Sequence, residues 1–101
     1  MARKLRIQTV QEIAEKVCVL YGIIETELKS SSQCRNLSEA RAMMGWLAQE
    51  SGCVTLSKVG KSVNRDVGSI SSAVRRLSDR RREVPELAER MRSLKKSLEM
   101  T

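Results

Sequence analysis

Histidine and phenylalanine are absent from this chain, and Trp46 and Tyr21 are its only aromatic residues. Its core must therefore be built from aliphatic side chains, which suit helices packed against helices. One proline and five glycines are too few for a turn-rich β fold. A chain of 101 residues has room for one compact core. The sequence therefore predicts a single all-α domain.

The missing histidine also removes the commonest general base, and no serine or cysteine has an evident base partner. The cysteines Cys18, Cys34 and Cys53 are widely spaced and form no CxxC pair, which fits neither a disulfide framework nor a zinc site. No Gly-x-x-x-x-Gly-Lys-Ser/Thr segment is present. We therefore expect no catalytic residues, no metal, no cofactor and no nucleotide-triphosphate site in this chain, and we expect reduced thiols.

Long apolar runs are also lacking. No stretch approaches the roughly 18 residues that a membrane span needs. The N-terminal sequence Met-Ala-Arg-Lys-Leu-Arg lacks the apolar stretch of a signal peptide. We therefore expect a cytoplasmic, nucleoid-associated protein without a membrane partner.

Positive charge is concentrated in the second half of the chain. Residues 51–101 hold 12 Lys and Arg against 6 Asp and Glu, residues 1–50 hold 7 against 6, and the net charge is +7. The basic half indicates a polyanionic partner, although Lys and Arg also simply keep a small domain soluble. The cluster Arg80-Arg81-Arg82 has two interpretations of its own, a phosphate-docking surface or a solvated helix end.

The first helix is predicted by its cap. After a basic lead-in over residues 1–8, Thr9 and Glu12 have the spacing of a capping box. Gly22 is suited to end this helix, because glycine readily adopts the left-handed conformation found there. A short apolar pattern over residues 23–28 fits one or two further helical turns.

A polar loop over residues 29–37 is predicted to follow, with Ser38 as the cap of the next helix. That helix ends near residues 51–52. The apolar face that we expect to be buried consists of Ala40, Met43, Met44 and Leu47. The two methionines are either plain core or an adaptable binding surface.

Three further helices are marked by caps and by the proline. Thr55 is placed to cap a short helix over residues 56–62, and Asp66 is placed to cap a longer one. Asn64 between them tolerates a positive φ. Pro85 ends the longer helix and can start another. The last apolar stripe consists of Leu87, Met91, Leu94 and Leu98. We expect the folded domain to span residues 9–99, with about five to six helices.

Residues 59–74 have the pattern of a helix-turn-helix. The first helix and the turn need an apolar residue, a small one, a second apolar one and one that accepts a left-handed backbone, here Val59, Gly60, Val63 and Asn64. The second helix packs through Ile70, Ala73 and Val74, which leaves its other face free to enter a major groove. That face holds Val67, Gly68, Ser71, Ser72 and Arg75. Two packed helices with a tight turn would share this pattern.

The segment from residue 56 to residue 77, with Asn-Arg-Asp-Val-Gly-Ser-Ile at its centre, resembles the C-terminal DNA-binding domain of the bacterial replication initiator DnaA. That family carries Gly-Arg-Asp-His-Thr-Thr-Val, then Ala, a small apolar residue and two basic residues. The matching residues are Arg65, Asp66, Ser69, Ile70, Ala73, Val74, Arg75 and Arg76. The similarity extends over about residues 7–98. It implies a Trp-repressor-like, all-α fold and sequence-specific binding of double-stranded DNA.

The resemblance also implies residue roles. It places Arg41, Asp66 and Ser69 at the major groove, Lys29 and Arg35 in a basic loop that enters the minor groove, and Arg75 and Arg76 at phosphates. The helix-turn-helix pattern adds the base-reading candidates Arg65, Val67, Gly68 and Ser72, and the phosphate-contact candidates Lys58 and Lys61.

Two positions depart from the family. Val67 stands where the family has histidine, and Gly68 where it has threonine, so neither offers a side-chain hydrogen-bond donor. Val67 can pack on a thymine methyl, and Gly68 permits a closer approach. The loop is also less basic, with Ser31, Ser32 and Gln33 in place of Lys or Arg. We therefore expect a changed base preference.

Three functions remain open at this point. The first is initiator-like DNA binding in replication initiation or its regulation. The second is the same domain appended to a transposase that acts on repeated palindromic elements. The third, of another class, is a helical protein-interaction module that has lost DNA binding. Val67 and Gly68 favour this third function, and so does the apolar last helix, which offers a surface for pairing with a partner. The sequence leaves the target site, the oligomeric state and any protein partner open.

Overall fold

The computed structural model describes residues 9–32, 34–52 and 54–99, with side chains up to residue 97. Within these ranges the chain forms six α-helices and no strand. They are α1 (Val10–Tyr21), α2 (Glu25–Lys29), α3 (Arg35–Ser51), α4 (Leu56–Ser62), α5 (Val67–Arg80) and α6 (Pro85–Glu99). The predicted all-α class is confirmed. The predicted lead-in over residues 1–8 and the residues Gln33 and Cys53 lie outside the described ranges.

Local capping explains where α1 begins and ends and where α4 begins. Thr9 and Glu12 form the predicted capping box, and Gly22 ends α1 with φ 65°. Thr55 accepts a hydrogen bond from the Lys58 amide at the start of α4. These predictions are confirmed because a cap needs contacts only within a few residues of chain.

Helix α3 begins earlier than the sequence predicted. Cys34 is its N-cap, and the Cys34 carbonyl already accepts from the Ser38 amide at 3.0 Å. The prediction of a cap at Ser38 is therefore wrong, and Arg35 lies in the first turn of a helix rather than in a loop. The added turn brings Leu37, 5% exposed, into the core. Burial of an apolar side chain outweighs the serine's preference for a capping position.

Helix α3 is the central helix of the domain. Every residue from 40 to 48 is buried, whereas the sequence pattern predicted one apolar face. Met43 and Met44 are fully buried, which makes them core residues. Gly45 allows α5 to approach closely, because a Cβ there would lie 2.7 Å from Val74 Cγ2 and 2.8 Å from Ile70 Cγ2. Helix α5 is thus packed directly on α3, at the centre of the core.

Helix α6 closes the core from another side. It begins at Pro85 as predicted, whereas α5 already ends at Arg80. Three residues of the predicted stripe, Leu87, Met91 and Leu94, are buried in the chain's own core. These three side chains therefore offer no surface to a partner, and the interaction-module hypothesis keeps only the support of Val67 and Gly68. The side chain of Leu98 lies outside the described ones.

A polar cluster joins several helices at the edge of the core. The Glu39 carboxylate on α3 accepts a hydrogen bond from the Tyr21 hydroxyl on α1. It also pairs with Arg90 of α6 at 2.8 Å and with Arg80 of α5 at 3.7 Å. Because the Glu39 side chain is only 8% exposed, these partners replace its lost hydration. None of the described helices is long and apolar enough to cross a membrane.

Candidate nucleic-acid interface

The turn between α4 and α5 has the tight geometry of a helix-turn-helix. Asn64 has φ 58°, the left-handed conformation that was predicted. The Arg65 amide then donates to the Gly60 carbonyl at 2.8 Å. A Cβ at Gly60 would lie 2.5 Å from the Arg65 carbonyl oxygen, so the turn leaves no room for a side chain there. The predicted roles of Gly60 and Asn64 in the turn are confirmed.

The start of α5 is capped and open to solvent. The Asp66 side chain accepts from the Ser69 amide at 2.7 Å. The hydrogen bonds from Ser69 hold the pKa of the Asp66 carboxyl below its usual value. Val67 is 50% exposed, and Gly68, Ser69 and Ser72 are also exposed. The opposite face of the helix, formed by Ile70, Val74 and Leu77, is buried.

Exposed cations flank this open face in the sequence. Between residues 58 and 76 there are five basic residues and one acid, Asp66. Lys58, Lys61, Arg75 and Arg76 are all exposed. Such an arrangement attracts a polyanion and leaves small side chains at the point of closest approach.

The basic loop lies next to the turn. Lys29 lies exposed at the end of α2. Its backbone carbonyl accepts a hydrogen bond from the Asn64 side-chain amide at 3.1 Å. Lys29 and Lys61 also line one cleft together with Asn64. The structure therefore brings the loop candidate Lys29 to the helix-turn-helix, from a point 35 residues away in sequence.

Arg35 occupies a different position from Lys29. It lies in the first turn of α3 and lines a groove with Arg76 and Arg80. The two residues that the sequence assigned to one loop thus belong to two different clefts. Arg80, part of the predicted docking cluster, is paired with Glu39.

Arg41 is the clearest departure from the sequence-based assignment. It is 4% exposed, and its guanidinium donates to the carbonyls of residues 27, 28, 30 and 32. Burial lowers the pKa of Arg41, and the neighbouring Arg65 lowers it further. The prediction that Arg41 lies on the base-reading surface is wrong, because its side chain is turned into the protein.

Arg65 is also engaged within the protein. One terminal nitrogen donates to the carbonyls of Val63 and Asn64, and the other to that of Ser30. Its guanidinium therefore holds the turn and the loop. The sequence carried no signal for either arginine, because carbonyl acceptors exist at every residue and only the fold gathers them.

These features define a helix-turn-helix protein whose second helix, α5, has one solvent-exposed face with basic residues and one buried face. Residues 10–77 match the family described as the bacterial DnaA protein helix-turn-helix. The match covers α1 to α4 and most of α5. The chain belongs to this family, and it is a DNA-binding, all-α domain of the DnaA C-terminal type. In the described ranges, no group of three or more Cys, Asp or Glu side chains could hold a metal ion.

Curated relatives extend the similarity to almost the whole chain. Over 98 residues, 97% of the chain, it is 28% identical to the chromosomal replication initiator protein DnaA of Caldanaerobacter subterraneus subsp. tengcongensis. It is 26% identical over the same length to the proteins of that name from Thermoanaerobacter sp. (strain X514) and Thermoanaerobacter pseudethanolicus. The chain spans 22% of the length of these relatives.

Proposed function

We propose that this chain binds double-stranded DNA with sequence preference and serves replication initiation or its regulation. The observation that carries the proposal is the open N-terminal half of α5. Its exposed residues are small or apolar, namely Val67, Gly68, Ser69 and Ser72. In the sequence they lie between two exposed lysines and two exposed arginines. A helix of this kind fits a major groove, where base edges are distinguishable. The names of the curated relatives support the replication role.

The mechanism divides the surface into three parts. Lys58, Lys61, Arg75 and Arg76 neutralise phosphates and fix the orientation of the domain on the duplex. The exposed start of α5 reads base edges. Lys29, beside the turn, reaches the adjacent minor groove, where a single cation is favoured by the negative potential of a narrow groove.

Val67 and Gly68 set the base preference in this proposal. Val67 is half exposed and has no polar atom in its side chain, so it favours thymine, whose methyl group it can contact. Gly68 has no Cβ and permits closer approach of the backbone. We therefore expect the preferred site to differ from the one that the family's histidine and threonine read.

The test is selection of bound duplexes from a random pool, followed by gel-shift titration of the selected site. Arg75→Ala should weaken binding, since one phosphate contact is lost. Arg92→Ala is the matched control, because Arg92 is exposed on α6 and pairs with Glu89, outside the surface assigned to DNA. The proposal is overturned if no duplex is enriched, or if both variants lower affinity equally.

A further inference from the structure

The segment over residues 27–32, called here the carbonyl loop, consists of the end of α2 and the three residues that follow it. The buried guanidinium of Arg41 binds four of its carbonyls. Arg41 Nε donates to one carbonyl, and its two terminal nitrogens donate to three more, at 2.8 to 3.3 Å. The accepting carbonyls are those of Glu27, Leu28, Ser30 and Ser32. The last carbonyls of an α-helix lack intrahelical donors, and Arg41 supplies a donor to the Leu28 carbonyl near the end of α2. The Glu27 carbonyl also accepts from the amide and the hydroxyl of Ser30.

The turn of the helix-turn-helix holds the same loop from the other side. Asn64 Nδ2 donates to the Lys29 carbonyl at 3.1 Å, and Arg65 donates to the Ser30 carbonyl at 3.0 Å. Three side chains from two separate segments therefore bind one loop. Arg41 and Arg65 meet at the Ser30 carbonyl, so displacement of either affects the hold of both segments on the loop.

The charges at this junction favour an anion nearby. Two guanidinium groups bind one carbonyl, and the exposed ammonium of Lys29 belongs to the same loop. The repulsion between the guanidinium groups of Arg41 and Arg65 is offset in part by carbonyl dipoles, which favour cations at a helix C-terminal end.

We propose that Arg41 is a positioning residue for DNA binding, which fixes the carbonyl loop to the turn so that Lys29 and the start of α5 meet one duplex in a set relative orientation. The proposal rests on the proposed function. Arg41 is too deeply buried to touch DNA itself. Without it, the loop must give up conformational freedom when the duplex binds, and affinity falls by that cost.

Arg41→Lys is the variant that tests this. Lysine keeps the charge, but a single ammonium cannot span the four carbonyls that the planar guanidinium reaches. We expect retained helicity, faster amide exchange in the carbonyl loop, and about tenfold weaker binding to the selected duplex. In chemical footprinting of the bound duplex, the minor groove on the Lys29 side should no longer be protected. Guanine N7 atoms in the major groove should stay protected.

A double-mutant cycle separates positioning from a general structural role. If Arg41 acts by presenting Lys29, the substitution Lys29→Ala should weaken binding clearly in the wild type and little in the Arg41→Lys background. A purely structural role predicts the same fold-loss from Lys29→Ala in both backgrounds, and that result overturns the proposal. Arg92→Ala serves as the control for loss of an exposed charge.

A second variant covers the case in which Arg41→Lys does not fold. Asn64→Gly keeps the left-handed backbone accessible and removes the amide that binds the Lys29 carbonyl. It should produce the same changes in exchange and minor-groove protection to a smaller degree. Faster loop exchange with unchanged DNA affinity and footprint overturns the positioning role and leaves the proposed function standing. A wild-type protein that enriches no duplex overturns both.

Discussion

Gly45 on α3 faces Val74 on α5 so closely that a Cβ at position 45 would lie 2.7 Å from Val74 Cγ2. This contact seats α5 on the central helix of the core. Valine is β-branched and has little rotamer freedom in a helix, so it cannot turn away. The orientation of α5 therefore depends on the absence of a side chain at position 45.

Gly45→Ala should destabilise the fold by up to about 2 kcal/mol, because overpacking costs about 1–3 kcal/mol while alanine gains about 1 kcal/mol in helix propensity. Urea denaturation measures the change. Gly68→Ala is the control: its Cβ would meet Asp66 Oδ1 at 3.9 Å, and only the propensity gain is expected. Equal destabilisation by both variants would contradict the packing argument.

Asp66 gives the fold a dependence on acid pH. The hydrogen bonds from Ser69 lower its pKa in the folded state. Its stabilising contribution is therefore full above the unfolded pKa of about 3.9 and is lost as pH falls through the lower folded pKa. Asp66→Asn should keep the cap at neutral pH, since asparagine caps as well as aspartate. Thermal melts between about pH 6 and 3 should show a smaller decline in Tm for the asparagine variant than for the wild type.

Glu39 and Tyr21 provide a test at alkaline pH. Burial raises the pKa of Tyr21, and the hydrogen bond to Glu39 raises it further. Because Tyr21 is the only tyrosine, its ionisation is visible in the ultraviolet absorbance without ambiguity. The wild type should titrate well above the usual value of about 10, and stability should fall as pH rises past that value.

Glu39→Gln should move the Tyr21 midpoint downward without restoring the value of free tyrosine, because the burial remains. Glu39→Ala should cost about 2 kcal/mol, since the Tyr21 hydroxyl then loses its acceptor. An unchanged midpoint in the glutamine variant would show that Glu39 does not influence this hydroxyl.

Arg76 offers a test of the phosphate contacts. The affinity of the wild type for its selected duplex should fall linearly with salt on a log–log plot. Arg76→Ala should reduce the slope by about 0.9, the value for one phosphate contact on B-DNA. Arg92→Ala should leave the slope unchanged. A slope in the Arg76 variant equal to that of the wild type would exclude Arg76 from the phosphate-contact set.

Cys34 and Cys18 should differ in reactivity. Cys34 is exposed at the N-cap of α3, and a hydrogen bond from the Leu37 amide lowers the pKa of its thiol. Burial raises the pKa of the Cys18 thiol. At about neutral pH, iodoacetamide should alkylate Cys34 at least about tenfold faster than Cys18, measured by peptide mass spectrometry over time. Cys34→Ser should remove the fast step, and similar rates at both thiols would refute the assignment.

Local features of the fold were predictable because their causes lie within a few residues. The caps at Thr9, Thr55 and Asp66, the left-handed Asn64 and the start of α6 at Pro85 all agree with the structure. Each depends on one side chain that bonds a nearby amide, or on the φ that one residue type permits. The same reasoning failed at Ser38, where the burial of Leu37 started the helix earlier.

The open face of α5 was also predictable, since helical periodicity separates Ile70 and Val74 from Val67 and Gly68. Periodicity did not predict where three cations lie relative to that face, namely Arg41, Arg65 and Lys29. Arginine is rarely buried, and the family resemblance placed Arg41 at the major groove. Its burial follows from a loop folding back over α3, a contact between parts of the chain that no local pattern records.

The sequence by itself determined the helices, most of their caps, the turn and the exposed face of α5, because these depend on interactions between near neighbours. Only the tertiary structure decided which cations face solvent and which ones hold the loop. That division depends on where backbone carbonyls and carboxylates from distant segments come together. A buried guanidinium is stable only where the fold supplies those acceptors, and this is why Arg41 holds the carbonyl loop while Lys29 remains exposed.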